Sequence, residues 1–198
     1  MRRGQAPGVG CQVSEEVRRG RVWTVGHSNH PLEKFIGILK AHEIESVLDV
    51  RRFPVSRKWP HFDAAALAAS LPAARIRYVG MPDLGGRRKP RADSPHVGWR
   101  SDAFRGYADY MDTGEFMGEL ARAMSLALAS RSALMCAEAV PWRCHRSVLA
   151  DAFLARGWEV FEILSEKAAR PHVLPGFARR EGDRVIYDRP PQGDLALR

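Results

Sequence analysis

Ala133-Leu134-Met135-Cys136-Ala137-Glu138-Ala139-Val140-Pro141-Trp142-Arg143-Cys144-His145-Arg146-Ser147-Val148-Leu149-Ala150-Asp151-Ala152-Phe153-Leu154-Ala155-Arg156-Gly157 is the stretch that decides the fold. Its first five residues are apolar without alternation, the pattern of a strand covered on both sheet faces. Ser147 to Arg156 then carries Val148, Leu149, Ala152 and Phe153 at helical spacing, with Gly157 as terminator. A covered strand that runs into a helix is half of a parallel βαβ unit.

The same alternation runs along the rest of the chain. Arg21 to Gly26 is short, β-branched and closed by glycine, a first strand. Pro31 suits the first position of a helix with Leu32, Phe35, Ile36 and Leu39 on one face. Ser46 to Arg51 is a second strand, and Asp63 is placed to cap a short Ala-rich helix carrying Leu67 and Leu71, which Pro72 stops. Ile76 to Gly80 is a third strand. Ser101 and Thr113 are placed to cap two helices, one with Phe104, Tyr107, Ala108 and Met111 inward, the other with Phe116, Leu120, Met124 and Ala127. Trp158 to Leu164 is a fifth strand, and Arg184 to Tyr187 a further candidate pairing with residues 173–178 across Glu181-Gly182-Asp183. Strand–helix alternation four times over predicts an α/β fold: a mainly parallel sheet of about five strands with helices on both faces, in three layers, plus a small C-terminal β extension. Residues 21–190 are expected to form a single domain, with tails at 1–20 and 191–198.

Composition narrows the class. The 198 residues are 45% hydrophobic and 27% charged, which excludes disordered, collagen-like and coiled-coil chains. No stretch approaches the roughly 20 apolar residues of a membrane span, and Met1-Arg2-Arg3-Gly4-Gln5-Ala6-Pro7 leads into no apolar core, so neither a membrane nor a signal peptide is expected. Three cysteines, Cys11, Cys136 and Cys144, are sparse and odd in number, as in a reducing compartment; a cytoplasmic protein is expected.

The net charge of +8 is concentrated. Residues 1–21 contribute +3 and residues 85–100, with Arg87, Arg88, Lys89, Arg91 and Arg100 against Asp93, contribute +4. Such segments on a near-neutral body suit a polyanion, a phosphate-bearing small molecule or a nucleic acid. The same balance also fits an Arg-biased composition, because 26 of the 31 basic residues are arginine. Residues 82–100 have Pro82, Pro90 and Pro95 and no periodicity, and a loop of this length in a compact domain is functional or disordered.

In open parallel sheets ligands bind at the carboxyl ends of the strands. Strand one ends in His27-Ser28, strand two in Asp49-Val50-Arg51-Arg52 with Ser56 beyond, strand three leads to Leu84-Gly85-Gly86, and strand four to Cys136-Ala137-Glu138 and then Cys144-His145-Arg146. Four polar groups converging on one end make a cleft.

Thr24-Val25-Gly26-His27-Ser28, Asp49-Val50-Arg51 with Pro54 and Ser56, Leu84-Gly85-Gly86, and Cys136-x-Glu138 followed by Cys144-His145-Arg146 resemble, in this order, the prokaryotic family called domain of unknown function 488. The resemblance covers about residues 22–188. It implies an α/β domain with a shared polar cluster and supplies no reaction.

The chemistry therefore rests on the residues. As an enzyme on a phosphate-bearing substrate, the chain would use Glu138, His145, Cys144, His27 and Asp49 as acid/base or nucleophile candidates. Ser28, Arg51, Arg52, Ser56, Gly85, Gly86 and Arg146 would bind substrate, since a helix start with an adjacent Arg favours an anion. Bland readings stand beside these: Cys144 and His145 capping a helix, Cys136 a buried inert thiol, Glu138 in a structural pair with Arg51 or Arg146, Asp49 and Arg51 paired with each other, His27 a satisfied strand-end histidine. A non-catalytic nucleic-acid module would use the 85–100 loop with Trp99 and Trp142 as stacking groups. Cys136, Cys144, His145 and a carboxylate would form a metal site, but their spacing matches no paired-cysteine zinc knuckle, and it assigns neither a metal nor a cofactor.

Overall fold

A computed structural model describes residues 20–189, so the tails expected at 1–20 and 191–198, with Cys11, lie outside the described residues apart from Gly20. In chain order the elements are β1 (Arg21–Gly26), α1 (Leu32–Ala41), β2 (Ser46–Asp49), α2 (Ala64–Ala73), β3 (Arg77–Gly80), α3 (Asp102–Tyr110), α4 (Gly114–Ala129), β4 (Ser132–Cys136), α5 (His145–Ala155), β5 (Glu159–Ile163), β6 (Ala169–Pro171), β7 (Arg179–Glu181) and β8 (Arg184–Ile186). Six strands form one sheet in the order β3-β2-β4-β1-β5-β6, with β1 to β5 parallel and β6 antiparallel on β5. β7 and β8 make a separate antiparallel hairpin. No helix among the described residues is long and apolar enough to cross a membrane.

The expected three-layer α/β architecture is present. Side chains alternate along each strand. Trp23, Val25, Ala133 and Met135 pack with Phe35, Leu39, Leu67 and Leu71 of α1 and α2 on one face. Val22, Leu48, Leu134 and Cys136 pack with Tyr107, Phe116, Leu120, Val148 and Phe153 of α3, α4 and α5 on the other. The connection after β4 therefore leaves on the face opposite to those after its two neighbours, β1 and β2. Crevices open between strand ends where successive connections diverge in this way, and here the divergence flanks β4 on both sides.

Local details differ from the sequence reading. Thr113 caps α4 by accepting from Phe116 N, but Ser101 makes no side-chain cap, and Asp63 sits at the start of α2 with its carboxylate turned to Ser56 N instead. Pro72 lies inside the last turn of α2, where it removes the bond to the Ala68 carbonyl, and the helix ends one residue later at Ala73. β8 pairs with residues 179–181 rather than 173–178, and β6 was not foreseen, because three exposed residues with a proline carry no apolar signal. Gly157 ends α5 at φ +79°, as its position requires. The 82–100 loop opens with a 3-10 turn and is pinned down: Gly98 N donates to Tyr187 O at 2.7 Å, His96 is buried, and a Cβ on Gly106 would meet Arg88 O at 2.4 Å. Trp99 stacks on Phe104 with ring centroids 4.7 Å apart and packs against Phe177 and Tyr187, so it is part of the core rather than a stacking platform.

Candidate functional site

The centre of the strand-end cluster is a pair of thiols and an imidazole. Alternation along β4 turns Cys136 toward the face that α5 covers, and α5 begins at Cys144-His145. One donor atom each from Cys136, Cys144 and His145 lies within 4.8 Å of the others. His145 Nδ1 is 3.9 Å from Cys136 Sγ and 3.7 Å from Cys144 Sγ. Its other nitrogen, Nε2, lies 3.0 Å from Val50 O at the end of β2, where only an N–H can be accommodated. That contact fixes the tautomer and aims the Nδ1 lone pair at the two sulfurs. Both thiols are buried. The hydrogen bond from Cys144, stronger in effect than burial, pulls Cys136 well below the ordinary thiol range, with His145 and Arg146 helping. The same bond and burial push Cys144 well above it.

A second group adjoins the first. Asp49 Oδ1 accepts from Arg51 Nε at 2.8 Å and Asp49 Oδ2 from Arg51 Nη2 at 2.6 Å, a bidentate buried pair. Tyr78 OH donates to Asp49 Oδ2 at 2.7 Å from β3. Arg51 Nη1 donates to His27 Nε2 at 3.2 Å, so His27 carries its proton on Nδ1, which donates to Ser28 O at 2.9 Å. Burial, then the Arg51 charge, lowers His27 to about 4, and its ring stacks on Phe62 at 4.0 Å. Burial opposes the Arg51 charge, but the hydrogen bonds and charge of Asp49 outweigh it and raise the guanidinium's pKa. Burial and Asp49 also raise Tyr78. The two groups meet at the end of β2, where Val50, whose carbonyl holds His145 Nε2, lies between Asp49 and Arg51 in the chain.

The remaining expected site residues stand as follows. Arg146 is 1% exposed and does not face a ligand: Nη1 donates to Val25 O at 2.8 Å and Glu138 O at 3.2 Å, bracing β1 to the β4–α5 loop. The Glu138 side chain is exposed and pairs with neither Arg51 nor Arg146, because the chain turns outward after Cys136; its carbonyl instead abuts Gly26, where a Cβ would come within 1.9 Å. Ser28 holds φ +52°, and its hydroxyl donates to Asn29. Ser56 Oγ accepts from Trp59 N, a turn contact away from the cluster. Arg52 is exposed. The two glycines act by close approach: a Cβ on Gly85 would lie 2.5 Å from the Arg52 backbone, and one on Gly86 would lie 3.0 Å from His145 Nδ1.

With this geometry in hand, the chain can be set beside known proteins. The family model for a domain of unknown function, DUF488, matches residues 31–153, more than half of the chain. The chain belongs to the DUF488 family. The matched span includes Asp49, Arg51, Gly85, Gly86, Cys136, Cys144, His145 and Arg146, and is narrower than the expected 22–188: β1 with His27, and the segment closing at Tyr187, fall outside it. No curated protein and no solved structure matches significantly.

Sequence reading missed two buried polar groups of this DUF488 chain. His172 lies between Asp151 Oδ1 and Glu162 Oε1, both at 2.7 Å, while Tyr187 OH donates to Asp151 Oδ2 and Arg170 Nε to Glu162 Oε2. Burial works against the imidazolium, but the two carboxylates raise its pKa to about 9. The signal was Asp151, a carboxylate between Val148 and Ala152 on the buried side of α5, which demands a partner. The other group is His96, whose Nε2 is 4.0 Å from Asp109 and 3.7 Å from Asp112.

Proposed function

We propose that this DUF488 chain is a metal-dependent enzyme acting on a phosphate-bearing substrate, with Cys136, Cys144 and His145 as the ligands of a thiophilic divalent ion such as Zn²⁺. The observation that carries this reading is His145: Nε2 is anchored on Val50 O, while Nδ1 faces Cys144 and Cys136 at 3.7 and 3.9 Å. Around a tetrahedral zinc, sulfur–nitrogen edges are about 3.6 Å, so an ion needs only small shifts of the donors. A ligating histidine commonly donates its second N–H to a carbonyl, as His145 does. Three donors come from the described residues, which leaves a fourth position for water or a substrate oxygen. An ion with such an open position acidifies bound water and polarises a phosphoryl oxygen.

Phosphate recognition falls to the exposed cations at the rim, Arg52, Arg87 and Lys89, because Arg51 is saturated by Asp49 and His27, and Arg146 is bound to carbonyls. Arg51 and His27 then act as a rigid, charged wall beside Cys136.

Elemental analysis of freshly purified protein tests the metal. About one ion per chain is expected, lost in Cys136→Ser and Cys144→Ser, with cobalt giving thiolate charge-transfer bands. Protein that comes metal-free, takes up no cobalt and has freely reactive thiols would refute the centre. Hydrolysis of a chromogenic phosphodiester, abolished by chelation and restored by zinc, tests the enzyme; a metal-loaded protein inert toward phosphodiesters and phosphomonoesters alike would refute that part.

A further inference from the structure

The segment after Arg51 reads Arg52-Phe53-Pro54-Val55-Ser56-Arg57-Lys58-Trp59, with basic and aromatic residues interleaved. Phe53 is 62% exposed, although a phenylalanine in a well-filled α/β fold has ample core to enter. It stands between two guanidiniums: Arg52 Cζ is 5.8 Å and Arg87 Cζ 5.7 Å from its ring centroid. These two arginines come from loops after different strands. They meet because Gly85 admits the Arg52 backbone and because Arg87 adopts a left-handed φ of +60°, which turns its side chain back toward Phe53. Lys58 Nζ lies 5.4 Å over the Trp59 ring further along the same loop. Arg52, Arg57, Lys58, Arg87 and Lys89 are all exposed, and none has a carboxylate within 4 Å among the described residues, so their charges are free to meet an anion, unlike those of Arg21, Arg122 and Arg184.

We infer that this surface binds single-stranded nucleic acid, with Phe53 as the platform for one base and the unpaired cations holding the flanking phosphates. An exposed aromatic ring takes any base face, and guanidiniums beside it neutralise the backbone without obstructing the stack. The strand would lie across the strand-end cluster: Phe53 follows Arg51 by two residues, and Gly86, next to Arg87, packs on His145. A duplex hides its base faces and offers Phe53 nothing. An anionic lipid surface would want several apolar side chains at one level; this loop exposes Val55 besides Phe53, and cations flank the ring at both edges. The inference names the substrate class for the proposed enzyme and rests on that reading for its role in turnover, but the binding itself requires no metal.

Fluorescence anisotropy with a short labelled oligo-dT, a duplex of equal length and phosphatidylserine vesicles tests it on the full chain. Oligo-dT is expected to bind best, with a log–log salt slope of about −3 if four cations each neutralise a phosphate at about −0.7 per contact. Phe53→Ala, an exposed change that leaves the fold intact, is expected to weaken oligo-dT binding about tenfold without altering that slope, the loss of one stacked base. Arg87→Gly, which tolerates the left-handed backbone, is expected to reduce the slope by about 0.7. Unchanged affinity in Phe53→Ala, equal affinity for the duplex, or tighter binding to vesicles would each overturn the inference. The metal content of Phe53→Ala, measured beside these, separates the two proposals: the ion is retained if the metal centre is correct, and oligo-dT binding falls if this surface is correct.

Discussion

His172→Gln is the substitution whose consequence the structure specifies most completely. His172 is buried between Asp151 on α5 and Glu162 on β5, with Arg170 on Glu162 and Tyr187 on Asp151 closing the group. A pKa raised from 6.5 to about 9 corresponds to about 3 kcal/mol of preference for the charged form, at 1.36 kcal/mol per unit. Part of this is offset, since burial raises Asp151 despite its partners. The folded pKa exceeds the unfolded one, so the contribution is complete below about 6.5 and is lost as pH rises through about 9. Removing the cation also leaves Asp151 with no counter-charge, while Glu162 keeps Arg170, and breaking a buried pair in this way costs about 3–5 kcal/mol.

Urea denaturation followed by tryptophan fluorescence reads the difference directly. Just below neutrality His172→Gln is expected to be about 3 kcal/mol less stable than the parent. Above pH 9 the parent loses its imidazolium, and the gap should shrink to about 1 kcal/mol. A gap that is constant or grows with pH would mean that His172 is neutral in the folded protein, and the charge assignment would fail.

Three further outcomes are expected. Gly86→Ala places a Cβ 3.0 Å from His145 Nδ1, so metal affinity, read by competition with a chromophoric chelator, should fall about tenfold with little loss of stability; unchanged affinity would separate Gly86 from the centre. Tyr78→Phe removes a hydrogen bond to a buried carboxylate and should cost about 1.5 kcal/mol in urea; a change within about 0.5 kcal/mol would show water taking its place. Gly26→Ala sets a Cβ 1.9 Å from the Glu138 carbonyl, backbone against side chain with nothing free to rotate away, and should cost more than about 4 kcal/mol or prevent soluble expression; a stable Gly26→Ala protein would contradict the packing of β1 on the β4–α5 loop.

The fold was legible because the central parallel strands are apolar runs: Ser132–Cys136 is buried at every position, and Ser46–Asp49 likewise. The strand-end rule then placed His27, Asp49, Arg51 and Cys144 together without any contact being known. Partnerships were less legible. Alternation put Asp49 and Arg51 on one side but left open whether they face a ligand or each other, and they face each other. Cys136 read as inert by burial alone; its place beside Cys144 and His145 depends on which sheet face α5 covers, a matter of topology that no local window contains. The His172 group joins residues from α5, β5, β6 and the last strand, and three of those four were visible only as single charges in apolar or irregular surroundings.

Arg146 shows why a helix-start arginine can mislead. Its place beside Cys144 suggested an anion grip, yet the guanidinium points back under the sheet to the carbonyls of Val25 and Glu138. No carboxylate lies within salt-bridge distance of it among the described residues, and Nε has no hydrogen-bond partner. A buried cation without a counter-charge is expensive. The Arg146 backbone N–H donates to Cys144 Sγ at 3.5 Å, which ties that thiol to the start of α5, and the guanidinium charge lowers Cys136. The Arg146 charge thus favours the thiolate form of Cys136, the form in which that sulfur would serve as a ligand in the proposed centre.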